Sequence, residues 1–455
     1  MDMLSLQTGK IETIILLYRL SRLNGEVEYK ILAEKLLEEL IDNISSKKTV
    51  KDNLWTIGRG IEYLARNQYI EEETDKILIE IDLLTIRHID NYQLKKNVSD
   101  NDDGIIEIGR YILARIIPKE VFRESKRLIL LKEYLVYLID WLEESLCFGK
   151  KHIDEVLEFL ADLLEIGFYP SKVKKMIKYC LSMPKDVREL STSINVNIPD
   201  VRHQITIVIP FRIDSTERAR NLSLLLDDLA NTCINIYLLE ADCEQRYHVN
   251  LLNDYVKYIF VKDDLPFFYK TRYLNSLVGM CQTPVVALWD TDVIISHYQL
   301  YDAVQSIISG ICDLNIPYNG EVRVLSSEQT TVYEHNKCYE FLEKRTNVFK
   351  IMNRRPVCGG VVLVNRLIYG RVGGQNESFH GWGPEDAEFI RRFEILGYKV
   401  RWESSGPAFH LWHPSARLAG GADKLWNNRE EFIKVCCMDM EELYDYVQSW
   451  DFIKQ

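Results

Sequence analysis

Apolar residues recur at helical spacing through the first part of the chain. Prolines are few before residue 190, and the alternation typical of strands is rare there. Two runs follow a period near 3.6 residues, at Ile11, Ile14, Ile15, Tyr18, Leu32, Leu36, Leu37 and Leu40. The pattern predicts an all-α domain over residues 1–190.

Part of this region repeats itself. The pentapeptide at 61–65, IEYLA, returns at 157–161 as LEFLA, and isoleucine follows at the same offset in both copies. The repeat predicts two similar helical hairpins that bury their apolar faces against neighbours. Chance similarity between amphipathic helices is the alternative.

Residues 54–64 also resemble the helical-hairpin repeats of lanthionine-cyclase-like proteins. The zinc site of that family needs cysteines and a Cys-His pair, and no Cys-His dipeptide occurs in this sequence. The resemblance therefore implies a scaffold or an acceptor-docking surface without cyclase chemistry.

The pattern changes after a polar stretch, residues 191–203, whose composition is typical of a linker. Strand-type and helix-type runs then alternate, which predicts a doubly wound, mainly parallel α/β sheet over 204–455. The predicted strands are 205–210, 234–239, 258–261 and 285–289, and the predicted helices are 218–229 and 272–280. Ligands of such sheets bind beyond the carboxyl ends of the strands.

Composition narrows the class of protein. A chain of 455 residues is long enough for two domains, and its net charge of −12 argues against a nucleic-acid partner. No apolar run reaches the ~18 residues of a membrane-spanning helix, and the N-terminus lacks the pattern of a signal peptide. The ten cysteines are scattered without a zinc pattern. We expect a cytoplasmic protein, and a peripheral position at a membrane is left open.

Two acids follow the apolar run at 285–289, in Asp290-Thr291-Asp292. Alternate residues at a strand end can point the same way, so both carboxylates can face one hard cation, Mn²⁺ or Mg²⁺. A neutral imidazole from Phe409-His410-Leu411-Trp412-His413 can complete the shell. Both histidines would serve from a helical turn, and only one from an extended segment; His410 is preferred. A strand-end turn with capping aspartates is the alternative.

Other groups near strand ends or in glycine-rich turns suit a nucleotide sugar. Arginine pairs with phosphate, and a carboxylate accepts from a ribose or a base. Glycines let a ligand approach the backbone, and an indole stacks on a sugar. The candidate nucleotide-sugar-binding residues are Pro210, Arg212, Arg218, Asp242, Lys270, Arg272, Asp290, Gly359, Gly360 and Trp382. Solvated surface or strand packing is the alternative for each charged or glycine position.

The stretch from Phe379 to Glu388 sets two glycines around a tryptophan and then two adjacent acids, Glu385 and Asp386. A general base must reach the acceptor hydroxyl and stay ionised, which a nearby cation favours. The same residues also suit a helix start, with a proline and acids in the first turn. We expect both descriptions to hold, with the pair as the catalytic residues.

These motifs, taken in order from Ile205 to Trp412, resemble the GT-A glycosyltransferases. The nearest pattern is the β-1,4-galactosyltransferase and bacterial chondroitin-polymerase group, with polypeptide N-acetylgalactosaminyltransferases as cousins. The resemblance implies that Asp292 and His410 bind the metal and that Asp386 is the base. Pro384 departs from the glycine usual in the family, which would stiffen the loop. Retaining cousins tend to carry asparagine where this chain has Asp386, so the resemblance implies inversion.

The prediction is a metal-dependent inverting transferase that moves a hexose or N-acetylhexosamine from a UDP-sugar to a hydroxyl of a glycan or peptide. Two alternatives stand beside it. One is a retaining enzyme like the polypeptide N-acetylgalactosaminyltransferases, and the other is a catalytically silent sugar- or peptide-binding module. The helical domain would recruit the acceptor or mediate a homodimer.

Overall fold

The computed structural model describes residues 3–45, 54–71, 73–90, 103–117, 125–148, 153–182, 201–247, 254–353, 355–381, 383–414 and 422–450. The chain divides into two compact units: Met1–Tyr169 with Val173–Met183, and Pro170–Lys172 with Pro184–Gln455. The predicted boundaries 1–190 and 204–455 stay predictions, and most of the predicted linker, 191–200, lies outside the described residues.

Every regular element described before residue 183 is a helix. The helices are α1 (Met3–Asn24), α2 (Val27–Ser45), α3 (Leu54–Arg66), α4 (Thr74–Ile77), α5 (Ile79–Asp90), α6 (Asp103–Ile116), α7 (Lys126–Phe148), α8 (Ile153–Glu165) and α9 (Pro170–Ser182). Helix α1 packs on α2 and α3, while α6 packs on α3, α7 and α8. The helical region is as expected, and its arrangement as repeated hairpins stays a prediction.

Burial in these helices departs from the sequence pattern at two places. In α2, Leu37 and Leu40 are buried, but Leu32 is 47% exposed because the buried stripe passes through Ala33 instead. In the repeated pentapeptide, Glu62 of α3 is buried, whereas the equivalent Glu158 of α8 is exposed. The repeat therefore preserves helix but not the buried face.

The second unit alternates strands and helices. Its elements are β1 (Ile205–Phe211), α10 (Thr216–Ala230), β2 (Asn235–Asp242), β3 (Val256–Lys262), α11 (Lys270–Met280), β4 (Val285–Trp289), β5 (Val293–Ile294), α12 (His297–Ile308), β6 (Leu314–Ile316), β7 (Val322–Val324), α13 (Ser327–Asn336), α14 (Tyr339–Glu343), β8 (Lys350–Ile351), β9 (Val361–Asn365), α15 (Arg366–Arg371), α16 (Glu385–Ile395), β10 (Val400–Trp402), β11 (Ala408–His410), α17 (Ala422–Cys436) and α18 (Met440–Gln448).

Seven strands form the main sheet, in the order β10-β6-β9-β4-β1-β2-β3. All are parallel except β9, which runs antiparallel to both β4 and β6. Every residue of β1 and β4 is buried, as expected of parallel strands covered on both faces. A smaller sheet has the order β5-β11-β7-β8. The predicted mainly parallel α/β sheet is present.

Strand β1 runs through Pro210, which the sequence pattern placed at its end. Pro210 pairs with Leu239 of β2, whereas the pairing of β1 with β4 stops at Val208. The proline therefore removes no hydrogen bond to β4, because β1 is no longer paired with β4 beyond Val208.

None of the described helices combines the length and the hydrophobicity that a membrane-spanning helix needs.

Candidate active site

Asp292 lies between two histidines just beyond β4. Strand β11 pairs antiparallel with β5, His410 opposite Val293, and this register carries both imidazoles to the aspartate. The Nε2 atom of His410 lies 3.6 Å from Oδ1 of Asp292, and Nε2 of His413 lies 3.1 Å from Oδ2. One ligand atom from each of the three residues lies within 4.8 Å of the others. The group offers one oxygen and two nitrogens.

The charges of this group favour an ionised aspartate. Burial opposes ionisation of Asp292, but His410, His413 and Arg218 hold its pKa well below the usual range. Burial lowers the pKa of His413, and the hydrogen bond and charge of Asp292 more than reverse that, so the pKa is raised. The guanidinium of Arg218 lies 3.6 Å from Asp292. The aspartate is therefore ionised, as metal binding requires, whereas the raised pKa of His413 means that an ion would displace a proton from that imidazole.

The preference for His410 as the metal ligand stays a prediction, and the structure brings His413 to Asp292 as well. Strand β11 ends at His410, so strand alternation no longer governs His413 three residues later. Leu411 still donates its amide to the carbonyl of Asp292, at 2.8 Å, which holds the segment against the site. Both histidines reach the same carboxylate, and His413 stands as a candidate ligand beside His410.

Asp290 faces a different group of charges. The ammonium of Lys270, the first residue of α11, lies 2.9 Å from Asp290 and 3.6 Å from Asp386. The amide of Asp290 donates to the carbonyl of Gly360, at 2.8 Å. The side chains of Lys270, Asp290 and Asp386 are 24%, 35% and 28% exposed, so a ligand in the cleft can reach them. The role of Asp290 as a metal ligand stays a prediction.

The acidic pair opens α16, whose first residue is Glu385 and whose N-cap is Pro384. Desolvation, together with the charge of Asp386, raises the pKa of Glu385 to about 8. Desolvation also raises the pKa of Asp290, with Lys270 opposing and Asp386 and Asp292 adding to it. Desolvation lowers the pKa of Lys270, but Asp290 and Asp386 raise it well above its usual value. Near neutral pH, Glu385 is mostly protonated and Lys270 is charged.

Gly359 lies against the side chain of Asp386, and Gly360 lies against Val293. A Cβ atom at Gly359 would lie 2.0 Å from Oδ2 of Asp386, so only glycine leaves room for that carboxylate. Gly360 has φ +87°, in the left-handed region, and enters β9. The hydroxyl of the fully buried Tyr318 donates to the carbonyl of Gly359 at 2.6 Å. Tyr318 thus holds the glycine that sets the position of the acid.

Arg212 ties several strand ends together. Its Nε donates to the carbonyl of Ala241 at 2.8 Å, Nη1 to the carbonyl of Leu265 at 3.0 Å, and Nη2 to Asp263 at 2.8 Å. Arg212 thus links the end of β1 to the end of β2 and to the loop after β3.

Of the other predicted nucleotide-sugar-binding residues, Asp242 and Arg272 contact charged side chains. Asp242 is 6% exposed and lies 3.6 Å from Nε of Arg246. Arg272 lies 3.4 Å from Glu377, and its guanidinium stands over the ring of Tyr269. Trp382 lies outside the described residues. The predicted roles of these residues and of Pro210 and Arg218 stay predictions.

A comparison with known protein families finds a match in the C-terminal unit. Residues 344–414 match the family model described as the N-terminal domain of galactosyltransferase. This stretch includes Gly359, Gly360, the acidic pair and both histidines. The C-terminal unit is a glycosyltransferase domain. A search of curated protein sequences finds no match.

Solved structures similar to this chain include two sugar transferases. The catalytic domain of Drosophila β1,4-galactosyltransferase 7 in complex with xylobiose is 16% identical, with a TM-score of 0.32, over 51% of this chain and 79% of that one. GalNAc-T7 with UDP, GalNAc and Mn²⁺ is 14% identical, with a TM-score of 0.36, over 51% of this chain. This chain spans 47% of the GalNAc-T7 chain.

Three residues that hydrogen-bond to parts of the site were not identified from the sequence: Tyr318, Asp263 and Asn428. Tyr318 follows the end of β6, and its place near a strand end at this edge was a usable signal. Asp263 follows β3 in the same way and accepts from Arg212 and Tyr273. Asn428 of α17 had no such signal, because it reaches the site from a distant helix.

Proposed function

We propose that this protein is a metal-dependent inverting glycosyltransferase. It would move a hexose or N-acetylhexosamine from a UDP-sugar to an acceptor hydroxyl of a glycan or peptide. The observation that carries the proposal is the convergence of two groups at one edge of the sheet. One group is Asp292 with His410 and His413, and the other is Asp290, Lys270 and Asp386.

The first group suits a divalent cation. Its donor set of one carboxylate and two imidazoles is one that Mn²⁺ accepts, and three protein ligands leave open positions for diphosphate oxygens. The Nδ1 atom of His410 is buried without a hydrogen-bond partner among the described residues, a further sign that the imidazole is placed for a ligand. Asp292, His410 and His413 would hold the ion, which would neutralise charge on the leaving nucleoside diphosphate.

The second group suits proton transfer from the acceptor. The ammonium of Lys270 lies 3.6 Å from Asp386, the carboxylate that would act as the base. Gly359 packs against the same carboxylate and fixes its position. Glu385, with its raised pKa, would stand protonated beside it and donate a hydrogen bond. Inversion follows if Asp386 removes the proton while the acceptor oxygen attacks the anomeric carbon from the face opposite UDP.

Release of UDP tests this proposal. The wild type is incubated with UDP-galactose or UDP-N-acetylgalactosamine and Mn²⁺, with and without EDTA, beside Asp386→Asn. We expect metal-dependent release in the wild type and a loss of about a hundredfold or more in the variant, the usual contribution of a general base. Wild type that binds glycans but releases no UDP from either donor would instead support the silent binding module.

Product stereochemistry tests the inverting step separately. The UDP-sugars are α-linked donors, so single displacement gives a β-linked product, which NMR of the anomeric proton identifies. An α-linked product would contradict inversion and favour the retaining alternative, while leaving the glycosyltransferase domain itself unaffected.

A further inference from the structure

The backbone before the acidic pair is held by helix α17. The side-chain Oδ1 of Asn428 accepts from the amide of His380 at 3.2 Å, and its Nδ2 donates to the carbonyl of His380 at 3.1 Å. An amide side chain offers one donor and one acceptor, like a peptide group, so Asn428 bonds His380 as a neighbouring strand would. Both backbone groups of one loop residue are thereby satisfied by one side chain.

Packing reinforces this bond pair. A Cβ atom at Gly383 would lie 2.7 Å from Nδ2 of Asn428 and 2.8 Å from its Cβ. Asn428 itself is 2% exposed. The glycine at 383 is therefore explained by the close approach of this asparagine, and the two residues fix the distance between the loop and α17.

A second bond set holds the start of the same stretch, one turn further along α17. Glu431 accepts from Nδ2 of Asn376 at 2.9 Å and from the hydroxyl of Tyr446 at 2.6 Å. The Oδ1 atom of Asn376 accepts from the amide of Ser378 at 3.0 Å. Helix α17 also packs on α16, the helix that opens with the acidic pair. One helix thus contacts both ends of the stretch from Asn376 to Gly383 and the element that carries Asp386.

We infer that Asn428 is a positioning residue for acceptor use: it fixes the backbone at His380 and at Gly383 relative to Asp386. This inference rests on the proposed transferase function. An acceptor hydroxyl must lie within hydrogen-bond reach of the base, and small displacements of the elements around the base lower the rate steeply. Loss of the brace should therefore weaken transfer to an acceptor sugar more than it weakens donor binding.

The experiment compares three variants of the full chain. Asn428→Ala removes both bonds, and the isosteric Asn428→Asp keeps the acceptor but sets a second oxygen against the carbonyl of His380. Asn427→Ala is the matched control, because Asn427 is the exposed neighbour on the same helix and carries the same change in helix propensity. Hydrogen exchange is followed over residues 376–384. UDP release from UDP-galactose and UDP-N-acetylgalactosamine with Mn²⁺ is measured in water alone and with a mixture of xylose, galactose and N-acetylglucosamine.

Both variants at 428 should exchange faster over 376–384, by about tenfold for Asn428→Ala, as expected when a buried bond pair is lost. Sugar-stimulated release should fall through a higher KM for the acceptor, while the donor KM and release in water stay at wild-type values. Exchange and acceptor KM equal to those of Asn427→Ala would overturn the inference. An equal fall in water and sugar release would also overturn it, since that marks general damage.

The two proposals fail in different ways. Wild type that releases no UDP from either donor fails the proposed function, and the acceptor role falls with it. Wild type that transfers normally beside an unaffected Asn428→Ala fails the positioning role alone. If no sugar in the mixture stimulates release, unchanged exchange over 376–384 overturns the inference and faster exchange supports it.

Discussion

Each unit of this chain contains a group of buried or partly buried charged residues, and the two groups differ in how completely their charges are paired. In the helical unit, Arg115 is fully buried and pairs with Glu62 and with Asp82, at 2.9 Å, both buried too. Asp75 adds a third carboxylate at 3.0 Å. Burial opposes the charge of Arg115, but Asp82 and Glu62 outweigh it and raise its pKa above the usual range. The guanidinium of Arg115 is thus surrounded by carboxylates that belong to the same unit.

The cleft of the glycosyltransferase unit leaves its charges incompletely matched. Asp290 and Asp386 share one lysine, and both remain about a third exposed. Glu385 has a raised pKa, and its Oε2 is buried without a hydrogen-bond partner among the described residues. Buried charge alone therefore does not mark a catalytic site. The cleft differs because its charged side chains are accessible and a ligand could supply the partners that they lack.

The largest expected effect is on activity in the cleft. Asp292→Asn removes the sole carboxylate of the cluster with His410 and His413, and UDP release with Mn²⁺ should fall about a thousandfold or more, since metal-type charge stabilisation amounts to several kcal/mol. Thermal stabilisation by Mn²⁺ with UDP should disappear as well. Asp264→Asn, an exposed acid of the same unit, is the control. Normal release from the Asp292 variant would mean that the metal binds elsewhere.

The helical unit should respond in the opposite way. Arg115→Met leaves Glu62 and Asp82 buried without their cation, which should cost about 3–5 kcal/mol of unfolding free energy. UDP release per folded molecule should stay unchanged. Urea unfolding of the full chain, with hydrogen exchange over α3, α5 and α6, measures the loss.

Arg110→Met is the matched control on α6, because its pair with Glu158 is exposed and such pairs contribute about 0–1 kcal/mol. An Arg115 variant as stable as this control would show that the buried network is not needed for the helical unit. In that case the buried charges of the helical unit would have no stabilising role, and the contrast with the cleft would not hold.

The sequence predicted those parts of the site that depend on local patterns. Strand β4 ends at Trp289 as its apolar run indicated, so Asp290 and Asp292 were expected beyond it. The acidic pair was expected at a helix start, and α16 begins at Glu385. Short-range features, such as an apolar run or a proline before acids, were enough for these assignments.

Contacts between distant segments could not be predicted in the same way. Strand alternation predicted one shared metal ion for Asp290 and Asp292, and this stays a prediction. The sequence pattern did not indicate that Lys270, from α11, lies 2.9 Å from Asp290, or that Arg218 lies 3.6 Å from Asp292. The pairing of β11 with β5, more than a hundred residues apart, decides that both histidines meet Asp292. Asn428 reaches His380 across 48 residues. Such contacts depend on tertiary packing, which a single sequence pattern does not encode.

A smaller effect on activity is expected from a change at Gly359, which lies against the side chain of Asp386. Gly359→Ala would place a methyl group on the carboxylate of Asp386, so the acid must shift and kcat should fall about ten- to a hundredfold, as for misplacements near 1 Å. Binding of UDP with Mn²⁺ should stay close to wild type. Gly370→Ala is the control, since nothing lies within 4 Å of its added Cβ. Equal kcat values for the two variants would contradict the positioning of Asp386 by Gly359.

The smallest effect on activity is expected from Glu385→Gln, and it separates the members of the acidic pair. Because the pKa of Glu385 is about 8, the side chain is mostly neutral at pH 7, and glutamine imitates that state. UDP release at pH 7 should therefore stay within about threefold of wild type, whereas a lost base costs a hundredfold or more. A fall as large as that of Asp386→Asn would make Glu385 the base instead.

The pH dependence of stability tests the protonation state of Glu385 independently of activity. The native state keeps a proton on Glu385 up to pH about 8, while an ordinary glutamate, with a pKa of 4.5, releases it earlier. Unfolding between these values releases a proton, so the contribution of Glu385 to stability is complete below pH 4.5 and declines until pH about 8. In EDTA, wild type should lose stability over this window relative to Glu385→Gln. Parallel curves for the two proteins would mean that Glu385 is ionised in the folded cleft, and the assignment of a neutral hydrogen-bond donor beside Asp386 would be wrong.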